Sequence, residues 1–457
     1  MREGWRRIVG RCANWLHARR VPLFGLAVLA WWVYPLVRPH GRYAGCYRVV
    51  DLEVGVVAAL IWLVCVIVAG APAARRRALG IRLGVALGAL LITAAACDVG
   101  AVLWKVYGQH FWYYGQEFPL DSHEHDPELV WKFRPGFGYQ GRANPFSHEI
   151  RFATDEHGFR NPRGMTQADI VFVGDSVTMA AEVPAEASFV QKTAQALGTR
   201  AVNLGIYGYG PQQELAVLKR YGLAYHPRVV VWQVTEWNDC EDAERYARRN
   251  HADKPQLKPF PELYETYSPL VAAFEKVFPR KGTRHADKLV LFHRTDGLVD
   301  KRYLWPVTDG LAESPQGWEA TKQAIAEARA LCRAQGVAFV VLFVPTHTRV
   351  LAPYVLPRNP EERNHFAPYR DDRPGPLAEA LAEHCRQLDC PMINLFPHLR
   401  RRAATDNRQL YIIHDPHLDL DGHDEAAQAL VQFLGKDFPT NHAQIAERKG
   451  EKAIETK

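Results

Sequence analysis

The apolar and polar positions divide the chain into two regimes. In the first, the runs at 21–37, 54–74 and 83–104 carry no charged residue except Asp98. Each is close to the ~20 residues a helix needs to cross a bilayer. Trp and Tyr gather toward several ends, as at membrane interfaces, and Pro22 and Pro35 sit at the margins of the first run, where they cost a helix least. The pattern predicts three transmembrane helices within residues 21–107, preceded by a basic segment at 1–20.

The second regime begins at residue 169. Short apolar runs rich in β-branched residues, at 170–173, 201–204, 229–234, 337–344 and 392–395, alternate with helical patterns at 186–197, 211–222, 316–335 and 375–388. That alternation predicts a three-layer α/β/α domain around a parallel sheet, spanning 166–435. Residues 108–165, with Pro127, Pro135, Gly136 and Gly138, read as a linker and the N-terminal part of this outer domain. Residues 243–315 break the rhythm with Pro, Lys, His and aromatics and read as an insertion or lid, and the polar tail 436–457 reads as disordered. No internal repeat is present.

Charge changes the picture in one respect. Over 457 residues the net charge is +6, but residues 1–82 alone hold 13 Arg, no Lys and three acids (Glu3, Asp51, Glu53), a balance of +10. The remainder is therefore acidic, which excludes a nucleic-acid footprint and turns the arginines into a topology signal. Arg2, Arg6, Arg7, Arg11, Arg19 and Arg20 precede the first run, and Arg75, Arg76, Arg77 and Arg82 separate the second from the third. By the positive-inside rule these segments face the cytoplasm, and three spans then carry everything after about Lys105 to the outer side of an inner membrane. Asp98 is costly inside a span; it could mark a partner contact or a proton path, and its place near the outer end favours an interfacial position.

Four of the eight cysteines, Cys240, Cys332, Cys385 and Cys390, fall in the outer domain, and Cys385 and Cys390 could bridge if their Cα atoms are close enough. No spacing suggests zinc. The run Asp121, His123, Glu124, His125, Asp126 invites a metal, but without a helical histidine pair it reads as a solvated linker. No metal and no cofactor is implied.

The chemistry lies where the predicted strands end. Run 170–173 leads into Gly174-Asp175-Ser176-Val177-Thr178, which puts a serine hydroxyl at the carboxyl edge of the sheet and its amide near a helix N-terminus. Run 201–204 leads into Gly205-Ile206-Tyr207-Gly208-Tyr209-Gly210, whose glycines let backbone N–H groups approach a bound group. Run 229–234 leads into Thr235-Glu236-Trp237-Asn238-Asp239, and an asparagine there can aim its amide at a developing oxyanion. Late in the chain, Asp415-Pro416-His417 offers a base and a group to orient it. Singly, each has a plainer reading: turn glycines, a helix cap, a surface histidine.

Taken in this order, the motifs resemble the SGNH (GDSL-type) hydrolase superfamily. The closer likeness is to its membrane-anchored bacterial branch, related to domains that acetylate or deacetylate extracellular polysaccharides. His157-Gly158-Phe159-Arg160-Asn161, Asn203-Leu204-Gly205, Pro227 before a strand, Val344-Pro345-Thr346 and the pair Gly422-His423 fit the same branch, and the likeness covers roughly residues 126–435. The resemblance implies Ser176 as nucleophile, His417 as general base and Asp415 as its orienting acid. It implies an oxyanion hole made of the Ser176 amide, the Gly208 amide and the Asn238 side chain. Two positions differ from the family pattern: Glu236 stands where a glycine is usual, and Asp415 is two residues from His417 rather than three, with His414 in the usual acid position. His423, at the start of the last helix, is expected to face solvent or to cap.

The expectation is a membrane-anchored serine esterase acting outside the cytoplasm on an O-acyl ester, such as an O-acetylated small molecule or glycan. One alternative is an O-acyltransferase that acylates a cell-envelope or exported polysaccharide with a multi-span membrane partner. Another is a non-catalytic envelope scaffold. The lipid bilayer is the one partner common to all three.

Overall fold

The computed structural model describes residues 20–34, 49–104, 111–113, 116–118, 122–143, 146–248, 264, 268–277, 289–304 and 311–435. The basic segment before residue 20 and the tail 436–457 lie outside them. The chain forms two compact units, Met1–Gln109 with Leu257–Asp287, and His110–Gln256 with Lys288–Lys457.

In the first unit three apolar helices are described: α1 (Arg20–Tyr34), α2 (Val49–Gly70) and α3 (Ala73–Leu103). Among the described residues, α2 and α3 are the helices long and apolar enough to cross a membrane. The 15 residues of α1 reach about 22 Å, short of a ~30 Å hydrocarbon core. Two of the three expected spans thus coincide with helices of sufficient length and apolarity, and residues 35–37 of the first lie outside the described ones. Glycines set the α1–α2 approach. A Cβ on Gly25 would lie 2.6 Å from the Trp62 indole, and one on Gly55 2.6 Å from Trp32.

Asp98 has partners. It is 6% exposed, and its carboxylate accepts from Ser268 Oγ at 2.6 Å and from the Leu270 N–H at 2.8 Å. Both donors stand at the start of the helix Pro269–Val277, whose free N–H groups a carboxylate satisfies well. Glu53 Oε1 accepts from Tyr264 Oη at 2.9 Å in the same unit. Part of the stretch 243–315 therefore packs with the N-terminal helices.

The second unit is built on five strands: β1 (Ile170–Val173), β2 (Ala201–Asn203), β3 (Val229–Thr235), β4 (Ala338–Val344) and β5 (Met392–Asn394). They pair in parallel in the order β2-β1-β3-β4-β5. Around them lie α4 (Ser176–Met179), α5 (Phe189–Leu197), α6 (Pro211–Val217), α7 (Asp239–Arg248), α8 (Pro315–Ala334), α9 (Pro376–Gln387) and α10 (Leu420–Leu434). The period of two along each strand sorts the core. Val171, Val173, Val230, Trp232, Val341 and Phe343 pack with α6, α8 and α9. Ile170, Phe172, Val229, Val231, Leu342 and Val344 pack with α5 and α10. Both faces are covered, so the strands are apolar throughout rather than alternating. This is the expected three-layer α/β/α fold.

The N-terminal part departs from a solvated linker. His123–Asp126 pairs with Val130–Phe133, and Gly138–Arg142 with Glu149–Ala153, as two antiparallel hairpins. Their Trp131, Phe133, Ile150 and Phe152 join the core on the α6 side of the sheet. His123 hydrogen-bonds Tyr207 Oη at 2.7 Å, and Asp126 pairs with Arg220. These residues thus have structural partners. Further along, Leu289–His293 and Val299–Tyr303 form an antiparallel sheet with Val355–Leu356, and residues 243–248 belong to α7.

At the end of α9 the Asp389 and Cys390 N–H groups bond back to Arg386 and Cys385, with Asp389 left-handed at φ 49°. That helix stop juxtaposes the residues on either side of it. Cys385 and Cys390 are both buried free thiols and are not bridged.

Candidate active site

In the order β2-β1-β3 the chain reverses direction of growth between β1 and β3. At such a switch point the flanking loops diverge and leave a crevice at the carboxyl edge. Ser176 follows β1 and Asn238 follows β3.

The β1 turn leaves no room for side chains. A Cβ on Gly174 would lie 2.4 Å from Thr178 Oγ1 and 2.5 Å from the Gln233 amide. Asp175, fully buried, caps α4 by accepting from the Val177 N–H at 2.9 Å. Ser176 is then the first helical residue. The β2 loop is laid on this turn: Asn203 Nδ2 donates to Thr178 O at 2.6 Å, and a Cβ on Gly205 would meet Met179 N at 2.4 Å. Gly208, at φ 67°, adopts the left-handed conformation that glycine tolerates. Among the described residues, neither the Ser176 nor the Gly208 N–H is taken by a protein acceptor.

The His157–Asn161 motif acts as a brace. Asn161 bonds both the N–H and C=O of Asn203, at 2.8 and 2.9 Å. The Arg160 fork donates to the carbonyls of Met179, Ala180 and Val183. Three hydrogen bonds from the buried Arg160 fork, on the carbonyls of residues 179, 180 and 183, leave the loop after α4 little freedom.

His417 closes the site from 241 residues away: its Nε2 lies 2.7 Å from Ser176 Oγ. On the other side of the ring, Nδ1 lies 2.5 Å from Asp415 Oδ1, an oxygen that also accepts from the His417 N–H at 2.9 Å. The ring stands edge-on to Trp237 at 5.9 Å. A second carboxylate, that of the buried Glu182, brings Oε1 to 3.7 Å from the same Nδ1. Burial disfavours the imidazolium, but Glu182, Asp415 and the Asp415 hydrogen bond outweigh it and push the His417 pKa up to about 10. Burial raises Asp415 in turn, and His417 more than reverses it, leaving that carboxyl below its usual range.

Asn238 sits at the crevice in an unexpected arrangement. Its Nδ2 donates to Asp175 Oδ2 at 3.0 Å and to Asp242 Oδ2 at 2.8 Å, so both amide hydrogens are engaged. Behind it, Asp175, Asp239, Asp242 and Glu214 are all buried. Burial raises each of their pKa values, that of Asp242 to about 7. Sequence reasoning missed this cluster, because its members lie on α6, α7 and the β1 turn and only the fold gathers them.

The two departures from the family pattern have structural accounts. Glu236 is buried, pairs with Arg349 Nε at 2.6 Å and accepts from the Thr346 N–H at 2.8 Å, tying the β3 loop to the β4 loop. His414 is not a member of the hydrogen-bonded series: its Nδ1 accepts from the Tyr303 N–H at 2.9 Å. His423 does not face solvent. It is 1% exposed, stacks on Phe189 and accepts from the Phe189 N–H at 3.3 Å, so it caps α5 from α10.

Beside Asn238 opens a cleft of about 360 Å³, lined by Glu236, Trp237, Glu241, Glu244, Arg248 and Glu313 among others. Its wall combines one indole with charged side chains.

No family model and no curated sequence matches the chain. Among solved structures it is similar to a putative lipolytic protein of the G-D-S-L family from Desulfitobacterium hafniense, at 11% identity over 57% of this chain and 97% of that one, with a TM-score of 0.30. A GDSL-like lipase from Bacteroides thetaiotaomicron is 12% identical over 59% of this chain and 88% of its own, at TM-score 0.29. A catalytic mutant of an acetylxylan esterase from Geobacillus stearothermophilus is 12% identical over 58% and 93%, at TM-score 0.32.

Proposed function

We propose that the chain is a membrane-anchored serine esterase whose active site lies outside the cytoplasm. The observation that carries this reading is the hydrogen-bonded series Ser176 Oγ, His417 Nε2, His417 Nδ1, Asp415 Oδ1 at the carboxyl edge of the sheet. His417 Nε2 takes the proton as Ser176 Oγ attacks an ester carbonyl, and Asp415 steadies the imidazolium. The Ser176 and Gly208 N–H groups are the available donors for the tetrahedral oxyanion. Asn238 joins them once an oxyanion displaces one of its two carboxylate partners. His417 returns its proton to the leaving alkoxide. A water, deprotonated by the same nitrogen, then hydrolyses the acyl-Ser176 and regenerates the hydroxyl.

For the substrate, the cleft beside Asn238 favours a polar alcohol such as a glycan over a long acyl chain, since an indole wall and charged side chains suit sugar hydroxyls. The arginine distribution supports the outward orientation. Transfer of the same acyl group to a glycan hydroxyl is the alternative outcome and differs only in the acceptor.

The test uses the full chain in detergent. Ser176→Ala should remain folded, lose fluorophosphonate labelling and lose turnover of p-nitrophenyl acetate and acetylated glycans. A folded Ser176→Ala protein that still labels and turns over would overturn the reading. Product analysis with and without an acceptor sugar separates hydrolysis from transfer. Alkaline phosphatase fused after residue 120 should be active, and fused between Arg75 and Arg82 inactive; the reverse would remove the extracytoplasmic placement.

A further inference from the structure

Glu182 belongs to no motif in the sequence, yet its carboxylate faces the histidine of the site. It is 1% exposed, and Oε1 lies 3.7 Å from His417 Nδ1, the nitrogen already bonded to Asp415. Its backbone has no freedom to move away. The Arg160 fork holds the carbonyls of Met179, Ala180 and Val183, and Glu182 O accepts from the His148 N–H at 2.9 Å.

The surroundings on every side can be named. His417 is faced by Asp415 from its own loop, by Glu182 from the loop after α4, by Asp175 from the β1 turn, and by Ser176 and Trp237. Glu182 is faced by His417, Asp415 and Arg160. His347, buried after β4, and His423, buried on α10, are held neutral near pH 7 by their burial, which lowers their pKa values to about 4 and about 3. The ring nitrogen opposite the one that faces Ser176 thus has two carboxylates beside it, Asp415 half-buried and Glu182 buried, with the Arg160 guanidinium acting on Glu182 to offset them.

We propose that Glu182 is a positioning residue for the base, a second carboxylate that stabilises the His417 imidazolium and sets the pH below which His417 cannot accept the serine proton. The proposal rests on the reading of Ser176 and His417 as nucleophile and base. Its physical content is a sign. An anion within 4 Å of an imidazole favours the protonated ring, so Glu182 moves the acidic limb of the rate profile upward. Burial pushes Glu182 itself up to about 7, so its charge, and with it this stabilisation of the imidazolium, is lost as the pH falls below neutrality. A single Asp415 would place the limb lower.

Glu182→Gln keeps the shape and removes the charge. In the full chain, the acidic limb of both kcat/KM and the fluorophosphonate labelling rate should move down by about one to three pH units. The plateau should fall by up to about tenfold, and Glu182→Asp should return the limb toward the wild-type position. Asp415→Asn, by contrast, should collapse the plateau. A limb that stays within about 0.3 pH of wild type in a folded Glu182→Gln protein overturns the proposal. The ¹³C-histidine NMR titration of His417, assigned with His417→Gln, reads the same coupling without activity. An unshifted titration there overturns the proposal even if wild type proves unreactive, and wild-type silence toward the probe overturns the esterase reading instead. Should Glu182→Gln not fold, Glu182→Met carries the same titration.

Discussion

Asp415 holds His417 twice with one oxygen: Oδ1 accepts from the His417 N–H at 2.9 Å and lies 2.5 Å from the ring Nδ1. The two-residue spacing makes this possible. An aspartate bonding the backbone two residues on forms an Asx turn, and that turn leaves the ring of the second residue beside the same carboxylate. The shorter spacing is therefore sufficient to orient an imidazole.

Asp415→Asn should keep the turn, since its amide oxygen can still accept from the backbone, while favouring the wrong imidazole tautomer. A loss of kcat of about 10³–10⁴ with nearly unchanged thermal stability is expected. Steady-state kinetics and a thermal melt on the same preparation check it, and a loss under tenfold would remove Asp415 from the proton path.

The three histidines of the last block should separate cleanly. His417→Ala should lower kcat by several orders of magnitude and abolish the acidic limb. His414→Ala should leave kcat within about tenfold, because its Nδ1 is bound to Tyr303, although a non-glycine residue at φ 66° is strained there. His423→Ala should leave kcat near wild type and cost about 1–3 kcal/mol of stability, through the lost cap on α5 and the void beside Phe189. Denaturant unfolding reads the last effect.

Asn238→Ala should act on stability and rate together. It removes a donor from Asp175 and Asp242 as well as a candidate oxyanion donor. A fall in kcat of about 10²–10³ with little change in KM is expected, together with a lower Tm. A change in Tm alone would make Asn238 a clamp for the carboxylates and nothing more.

The carboxylate cluster should make the protein less stable toward alkali. Burial raises Asp242 to about 7, whereas the unfolded side chain titrates near 4. The folded state then holds a proton that the unfolded chain lacks. That contribution is complete below about pH 4 and is lost as pH rises through 7. Between pH 6.5 and 8 the Tm of wild type should fall, and that of Asp242→Asn should fall less. Glu182 and His417 titrate in the same direction, so the difference between the two proteins isolates Asp242. Equal slopes would remove the raised pKa.

Asp98→Ala should loosen the helix Pro269–Val277, whose first turn it caps. Limited proteolysis of the full chain should then cut near Ser268–Val277 several-fold faster, at a rate governed by local opening. Asp98→Asn, which keeps an acceptor, should be intermediate.

Local chemistry alone determined much of this protein. The strand runs 170–173, 229–234 and 337–344 are legible because a strand buried on both faces must be apolar at every position, and β1, β3 and β4 form within a residue of those bounds. The Gly-Asp-Ser turn is legible because Gly174 and Asp175 meet steric and capping demands within four residues of chain. The hairpins between 123 and 153 were not, since strands of four or five residues with charged ends carry little periodicity. What tertiary structure decided is every relation that joins distant segments. Ser176 meets His417 across 241 residues, Asp98 meets Ser268 across 170, and Asn238 meets Asp175 across 63. No local pattern encodes these pairs, because the free energy that holds them comes from packing distant elements together: the two sheet faces for Ser176–His417 and Asn238–Asp175, and the helices of the first unit for Asp98–Ser268. A side chain's partner is then whichever group that packing leaves beside it.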